Sequence, residues 1–265
     1  MDILNKRIVV TGAASGIGKA LCIAFKEAGA KSIVCVDMNI DGARETADTI
    51  GGLAVAADVS NEQDIINVIS EANELSGGID IFCSNAGIGG KPGFFEADTA
   101  DWNHIWGVNV QSHIHAAKHV LPQMIERGEG YLVNTSSAAG LLTQLGAAGY
   151  AVTKAAAVSF AEWFKITYGN KGIGVSCLCP QAVRTAMTEQ GPGVAGVDGM
   201  LEADVVANDV LDAIKEERFL VLPHQEVTEY MQRKANDRDR WIGGMQRLQK
   251  QYEDFLTPME GDEKN

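Results

Sequence analysis

The sequence predicts a doubly wound α/β fold, a seven-stranded parallel sheet flanked by helices with a helical C-terminal extension. Three observations lead there. Short apolar runs recur seven times without the polar alternation of a half-exposed sheet, as strands buried on both faces require. Stretches with helical apolar spacing separate them. The residues suited to chemistry or ligand binding fall just past the carboxyl ends of those runs, where open α/β sheets bind ligands. The chain has 265 residues, 46% hydrophobic and 22% charged, enough to bury a sizeable core. Residues 1–223 are expected to form the α/β domain. Residues 224–265 are expected to form a helical extension that packs on it or on a partner subunit.

Charge and cysteine usage exclude several classes. A net charge of −13 disfavours nucleic acid and anionic membrane surfaces as partners. Five cysteines, an odd number without framework spacing, point to reduced thiols in a cytoplasmic setting. Cys177 and Cys179 are expected on opposite strand faces rather than as a metal pair. The first residues lack the apolar core of a signal peptide, and no run reaches the length of a membrane span.

The first strand is Arg7-Ile8-Val9-Val10-Thr11. It ends in Gly12-Ala13-Ala14-Ser15-Gly16-Ile17-Gly18, and a helix is expected from Lys19 to Ala28. Strand, glycine loop and helix together suit a pyrophosphate: glycines let the backbone approach it, and its charge meets a helix N-terminus. The second strand, Ser32 to Val36, ends at Asp37. A carboxylate about 20 residues past the glycine loop is placed to accept hydrogen bonds from a ribose diol and to repel a 2′-phosphate. With no positive charge supplied by Met38 or Ser15, NAD is expected rather than NADP. A helix over 41–50, a strand over 53–56 ending at Asp58-Val59, and a helix over about 61–76 follow.

The fourth strand, Ile79 to Cys83, leads into Ser84-Asn85-Ala86-Gly87, a small-residue turn that admits a ligand to the backbone. One long helix is expected over 101–127, with Asn109 among its apolar positions and Pro122 as a point of kinking. His113, His115 and His119 lie on it. They are read as partly exposed interface histidines, and no metal site is expected. The remaining strands are 131–135, running into Ser136-Ser137, 174–179, closed by Pro180, and 219–222. Helices are expected over 150–170 and 204–216, with a mobile loop or short helices over 186–201. The tail from Glu226 to Leu256 has helical apolar spacing with an expected break at Gly243-Gly244, and its basic and acidic residues balance.

On a helix starting at Tyr150, Lys154 is four residues on and shares its face. A phenol beside an ammonium is an acid/base device, because a nearby positive charge favours the phenolate. Thr11-Gly12-x-x-x-Gly16-Ile17-Gly18, Asp58, Asn85-Ala86-Gly87, Asn109, Ser137 and Tyr150-x-x-x-Lys154 stand in one order. Over residues 6–222 the chain thereby resembles the short-chain dehydrogenase/reductase family, in its shorter branch with a Rossmann-like domain. Ser137 rather than Ser136 matches, since it precedes Tyr150 by 13 positions. Ser84-Asn85 stands where the family usually has Asn-Asn, and Pro180-Gln181 where it usually has Pro-Gly. Gln181 borders the expected substrate side.

The resemblance implies an NAD(H)-dependent oxidoreductase acting on a secondary alcohol or ketone. Tyr150 would move the hydroxyl proton. Lys154 would lower its pKa and bind the nicotinamide ribose, Ser137 would hold the substrate oxygen, and Asn109 would hold a water on a proton path. Asp58 would contact adenine, next to Val59. Backbone at Asn85, Ala86, Gly87, Pro180 and Val183, together with Thr185, would touch the cofactor. A homo-oligomer is expected, a tetramer before a dimer. The alternatives are a reductase of 3-oxoacyl thioesters, disfavoured by the acidic balance, and a non-catalytic dinucleotide-binding protein, disfavoured by the complete Asn109, Ser137, Tyr150 and Lys154 set. Phe94, Phe95, Leu142, Leu145, Met187 and Met200 suggest an apolar substrate pocket, because Met repacks readily.

Overall fold

The computed structural model describes residues 1–189 and 191–252. Its strands are β1 (Arg7–Thr11), β2 (Ser32–Asp37), β3 (Leu53–Ala56), β4 (Ile81–Ser84), β5 (Gly130–Thr135), β6 (Ile173–Leu178) and β7 (Leu220–Val221). They form one sheet in the order β3-β2-β1-β4-β5-β6-β7, with every pairing parallel. The helices are α1 (Gly16–Glu27), α2 (Ile40–Ile50), α3 (Glu62–Ser76), α4 (Thr99–Trp106), α5 (Ser112–Arg127), α6 (Ala138–Leu142), α7 (Ala148–Tyr168), α8 (Ala203–Glu216), α9 (Glu226–Asn236) and α10 (Arg238–Gln251).

The apolar runs divide by the two-residue period of a strand. Ile8 and Val10 of β1, with Ile33 and Cys35 of β2, face one core that also holds Leu21 and Phe25 of α1 and Val210 and Ile214 of α8. Val9, Val34 and Val36 face the other, with Val68 of α3, Val120 and Met124 of α5 and Phe164 of α7. Burying a side chain such as Phe25 contributes about 1.5–3 kcal/mol. Both layers leave the carboxyl ends of the strands uncovered, and the site lies there.

Several elements depart from the sequence reading. Helix α1 starts at Gly16 rather than Lys19, so Gly16-Ile17-Gly18 is its first turn. The single helix expected over 101–127 is α4 and α5 joined by a π-helical turn, Gly107–Gln111. That turn carries Asn109, and the Ser112 hydroxyl donates to the Val108 carbonyl at 2.5 Å. Helix α6, only five residues long, gives no readable period; Ser137 caps it, its Oγ accepting from the Ala139 N–H at 3.1 Å. Two 3₁₀ turns, Ala186–Thr188 and Gly193–Gly196, occupy the segment read as a loop or short helices.

The tail breaks at Asp237, not at Gly243-Gly244. Asp237 is extended and its carboxylate caps α10, accepting from the Arg240 N–H at 2.9 Å, so both glycines lie inside that helix. Phe255 and Leu256, counted in the tail's apolar stripe, lie outside the described residues. Cys177 and Cys179 share a face, with sulfurs 3.7 Å apart, since residues two apart in an extended chain point the same way. His113 is fully buried rather than at an interface, and its Nδ1 meets the Asn134 amide at 2.7 Å. Burial pushes its pKa down to about 3, so it is neutral near pH 7. His119 instead pairs with Glu62, Nε2 to Oε1 at 2.7 Å, a carboxylate supplied by α3 and invisible to local spacing.

Candidate active site

A cleft of about 600 Å³ runs along the carboxyl ends of the strands and is lined by Gly12, Ser15, Gly16, Ile17, Gly18, Asp37, Asp58, Val59, Asn85, Ala86, Gly87, Ser137, Tyr150, Lys154, Pro180, Val183 and Thr185. Gly12 has φ +69°, a left-handed conformation that glycine adopts without strain. A Cβ on Gly18 would lie 2.0 Å from the Gly12 carbonyl oxygen, so only glycine allows the loop to close on α1. Ser15 makes no side-chain cap and the first turn of α1 has no acidic residue, which leaves its N–H groups to the cleft.

The loop ends are tied together by residues that motif spacing alone assigned no such duty. The Thr11 hydroxyl accepts from the N–H groups of Asn85 and Ala86 at 2.9 and 3.1 Å. The Asn85 amide donates to the Thr11 carbonyl at 3.0 Å and accepts from the Thr135 hydroxyl at 3.1 Å. Asn85 therefore braces the ends of β1 and β5. Asp37 is held at the tip of β2 by the N–H groups of Ala14 and Asn39, at 3.0 and 2.9 Å. Asp58 accepts from the Ser60 hydroxyl at 2.7 Å.

Tyr150 and Lys154 share a face of α7, as the four-residue spacing predicts, with Nζ 5.6 Å from the centre of the phenol ring. Lys154 is buried and donates to the Thr135 carbonyl at 3.1 Å. Burial pulls its pKa down to about 8. Burial raises the Tyr150 pKa, while a hydrogen bond with Ser137 acts the other way. The expected lowering of Tyr150 by Lys154 is thus not what dominates: the ammonium is engaged with Thr135, and desolvation favours the neutral phenol. Asn109, fully buried in the π turn, accepts from the Ile88 N–H and donates to the Ile88 carbonyl, both at 2.9 Å, and donates to Thr153 at 3.2 Å. It lies behind the cleft wall at Gly87 rather than in the lining.

A second cavity of about 700 Å³ meets the first at Ser137 and Gln181, which line both. Leu142, Val194, Trp241, Met245 and Leu248 form its apolar walls. Of the residues proposed for an apolar pocket, Leu142 lines this cavity and Met187 lines the cleft. Phe94 and Phe95 are 61% and 93% exposed, and Leu145 and Met200 line neither space. The missing wall comes from the tail. Val227 packs with Ala138 and Leu142 under Tyr230 and Trp241, and Lys234 donates to the Leu141 carbonyl at 2.6 Å. The Gln181 amide donates to Asp198 at 2.9 Å, and Tyr230 donates to the same carboxylate at 2.9 Å. The tail's helical apolar stripe was the available signal, but nothing local said which surface it covers.

The sequence profile described as short chain dehydrogenase matches residues 6–192. The chain belongs to the short-chain dehydrogenase family. It is 32% identical over 236 residues to the 1-deoxy-11-beta-hydroxypentalenate dehydrogenase of Streptomyces exfoliatus, covering 85% of this chain and 86% of that one. It is 35% identical over 186 residues to the 7alpha-hydroxysteroid dehydrogenase of Escherichia coli K12, covering 68% and 72%. Among solved structures, a short-chain dehydrogenase/reductase from Burkholderia phymatum in complex with NAD superposes with TM-score 0.82 at 28% identity, covering 90% of this chain and 96% of that one. A 3-ketoacyl-(acyl-carrier-protein) reductase from Brucella melitensis complexed with NADH gives TM-score 0.77 at 29% identity, covering 83% and 96%.

As a short-chain dehydrogenase the protein is an oxidoreductase, and its cleft fits a nicotinamide dinucleotide. The uncapped first turn of α1 borders the cleft, as a pyrophosphate requires, and the Gly12–Gly18 approach keeps side chains out of the loop. A Cβ at Gly87 would come within 3.1 Å of the Lys154 Nζ, so the absence of a side chain there keeps the floor beside the lysine clear.

Proposed function

We propose that this short-chain dehydrogenase uses NAD in preference to NADP to interconvert a secondary alcohol and a ketone on an apolar substrate. The observation that carries the reading is the junction at Ser137, where the dinucleotide cleft beside Tyr150 and Lys154 opens into the apolar cavity. When bound, the nicotinamide supplies the hydride acceptor or donor. Tyr150 takes the hydroxyl proton in oxidation and returns it in reduction. Ser137 steadies the substrate oxygen. Lys154 holds the ribose edge from its place on Thr135, and Asn109 fixes Ile88 and the wall behind it. The half-buried Asp37, with exposed Met38 as its neighbour, supports NAD: a ribose diol can donate to its carboxylate, whereas a 2′-phosphate would be repelled. Asp58, Val59, Asn85, Ala86, Pro180, Val183 and Thr185 complete the cofactor contacts. Gln181, in place of the family's usual glycine, contacts the substrate.

NADH formation over a panel of apolar secondary alcohols tests this. The expected result is turnover with NAD at a higher kcat/KM than with NADP, abolished by Tyr150→Phe while NAD still binds. Residual turnover in Tyr150→Phe removes the proton-transfer role, and parity with NADP removes the reading of Asp37.

A second reading, reduction of 3-oxoacyl thioesters, is favoured by the likeness to the Brucella reductase and by arginines on the cavity wall. The α/β domain, 1–223, carries the chemistry, and residues 224–252 of the extension close the substrate side. Exposed Val152, Trp163 and Ile166 on α7, with Ile114 on α5, support a homo-oligomer, a tetramer before a dimer. Five buried, unbridged cysteines support a cytoplasmic setting.

A further inference from the structure

Arg233, Arg240 and Arg247 all line the apolar cavity. Arg233 is paired with Glu229 at 2.5 Å. Arg240 and Arg247, both on α10, have no carboxylate partner among the described residues. Every arginine outside α10 is paired with a carboxylate at 3.7 Å or less. Asp237, the acidic residue on the same wall, is committed to capping α10 through the Arg240 N–H. In a chain of net charge −13, two unpaired guanidinium groups are therefore presented to one cavity. Seven residues along a helix is about 10.5 Å, and the apolar residues Trp241, Met245 and Leu248 of the same helix share the cavity wall.

We propose that Arg240 and Arg247 form an anion-recognising subsite, so that the preferred substrate is a hydrophobic secondary alcohol, or its ketone, with an oxyanion remote from the reacting carbon. This rests on the alcohol–ketone reading above. The apolar body lies along Leu142 and Trp241 with its hydroxyl at Ser137, and its far end reaches the arginines. A guanidinium fork matches a carboxylate or a phosphate oxygen pair. The oxyanion is therefore either the substrate's own carboxylate or the phosphates of a thioester carrier.

Hydroxy fatty acids with the hydroxyl on the penultimate carbon, in graded chain lengths, are compared with their methyl esters and with 3-hydroxybutyryl-coenzyme A. Both kcat/KM with NAD and calorimetric binding to the NADH complex are measured. The expected result is a kcat/KM ratio of acid to ester of about ten or more, arising in KM, that falls to about one in the R240A/R247A double variant and is partly restored by lysines. The same loss with the coenzyme A thioester alone assigns the subsite to carrier phosphates. Equal use of acid, ester and thioester by the wild-type enzyme overturns the subsite and leaves the alcohol–ketone reading standing. Acid binding that is lost in the double variant, without turnover of any probe, keeps the subsite and removes that reading. Absence of both binding and turnover for every anionic probe overturns the subsite.

Discussion

At the level of single residues, loss of water displaces Tyr150 and Lys154 in opposite directions, the phenol upward and the ammonium downward to about 8. In each case burial favours the neutral form. For Lys154 this is also a statement about stability. Its pKa falls from the ordinary 10.5 to about 8 on folding. Between those values the unfolded chain holds the proton more tightly, so its contribution rises with pH across that window and is flat below it. The climb amounts to about 3 kcal/mol from the size of the displacement. Urea unfolding at stepped pH is expected to show this rise in the wild-type enzyme relative to Lys154→Met. Parallel curves would mean that Lys154 keeps its ordinary affinity for protons. The Tyr150–Lys154 pairing was legible because a four-residue spacing on a helix fixes a shared face. The Thr135 carbonyl that holds the lysine was not, because it lies at the end of another strand.

At the level of elements, the π turn Gly107–Gln111 explains why periodicity found one helix where there are two. A π turn adds one residue to a helical turn and leaves the hydrophobic repeat on either side almost intact. Asn109 in that turn satisfies both the N–H and the carbonyl of Ile88. Asn109→Leu removes those bonds and leaves partly buried backbone groups of Ile88 unpaired. It is expected to cost about 2–4 kcal/mol in urea unfolding and to lower kcat along with it. Wild-type stability in this variant would show that the Asn109–Ile88 bonds do not hold the turn in place. The β1–loop–α1 unit was legible in outline, since strand, glycines and helix follow directly in sequence. The C-terminal wall was not. The balance of charge over 226–256 concealed that Arg233, Arg240 and Arg247 all face one cavity, an arrangement that depends on the break at Asp237 and on where α9 docks.

At the level of the whole molecule, the strand order places the carboxyl ends of β1 to β6 along one rim, and the expected cofactor residues line a cleft there. That much follows from apolar runs buried on both faces and from the right-handed crossovers of parallel strands. The outer face of α7 is a different matter, because an exposed apolar residue says nothing by itself about what covers it. Trp163 and Ile166 are 54% and 75% exposed on adjacent turns, an apolar patch of the kind that subunits bury. Ile166→Asp is expected to lower the mass measured by light scattering, with the far-ultraviolet dichroism of the fold retained. An unchanged mass would remove this face of α7 as a subunit contact.

The tail that walls the apolar cavity has a bearing on inheritance. Val227, Tyr230 and Trp241, on α9 and α10, pack with Ala138 and Leu142 of α6, while Tyr150, Lys154 and the glycine loop belong to earlier segments. Mutations, insertions or exchanges confined to α9 and α10 rewrite the shape and charge of the apolar cavity and leave Tyr150 and Lys154 unaltered. Divergence of specificity among descendants of this chain can therefore be confined to α9 and α10, with the Tyr150–Lys154 pair passed on unedited.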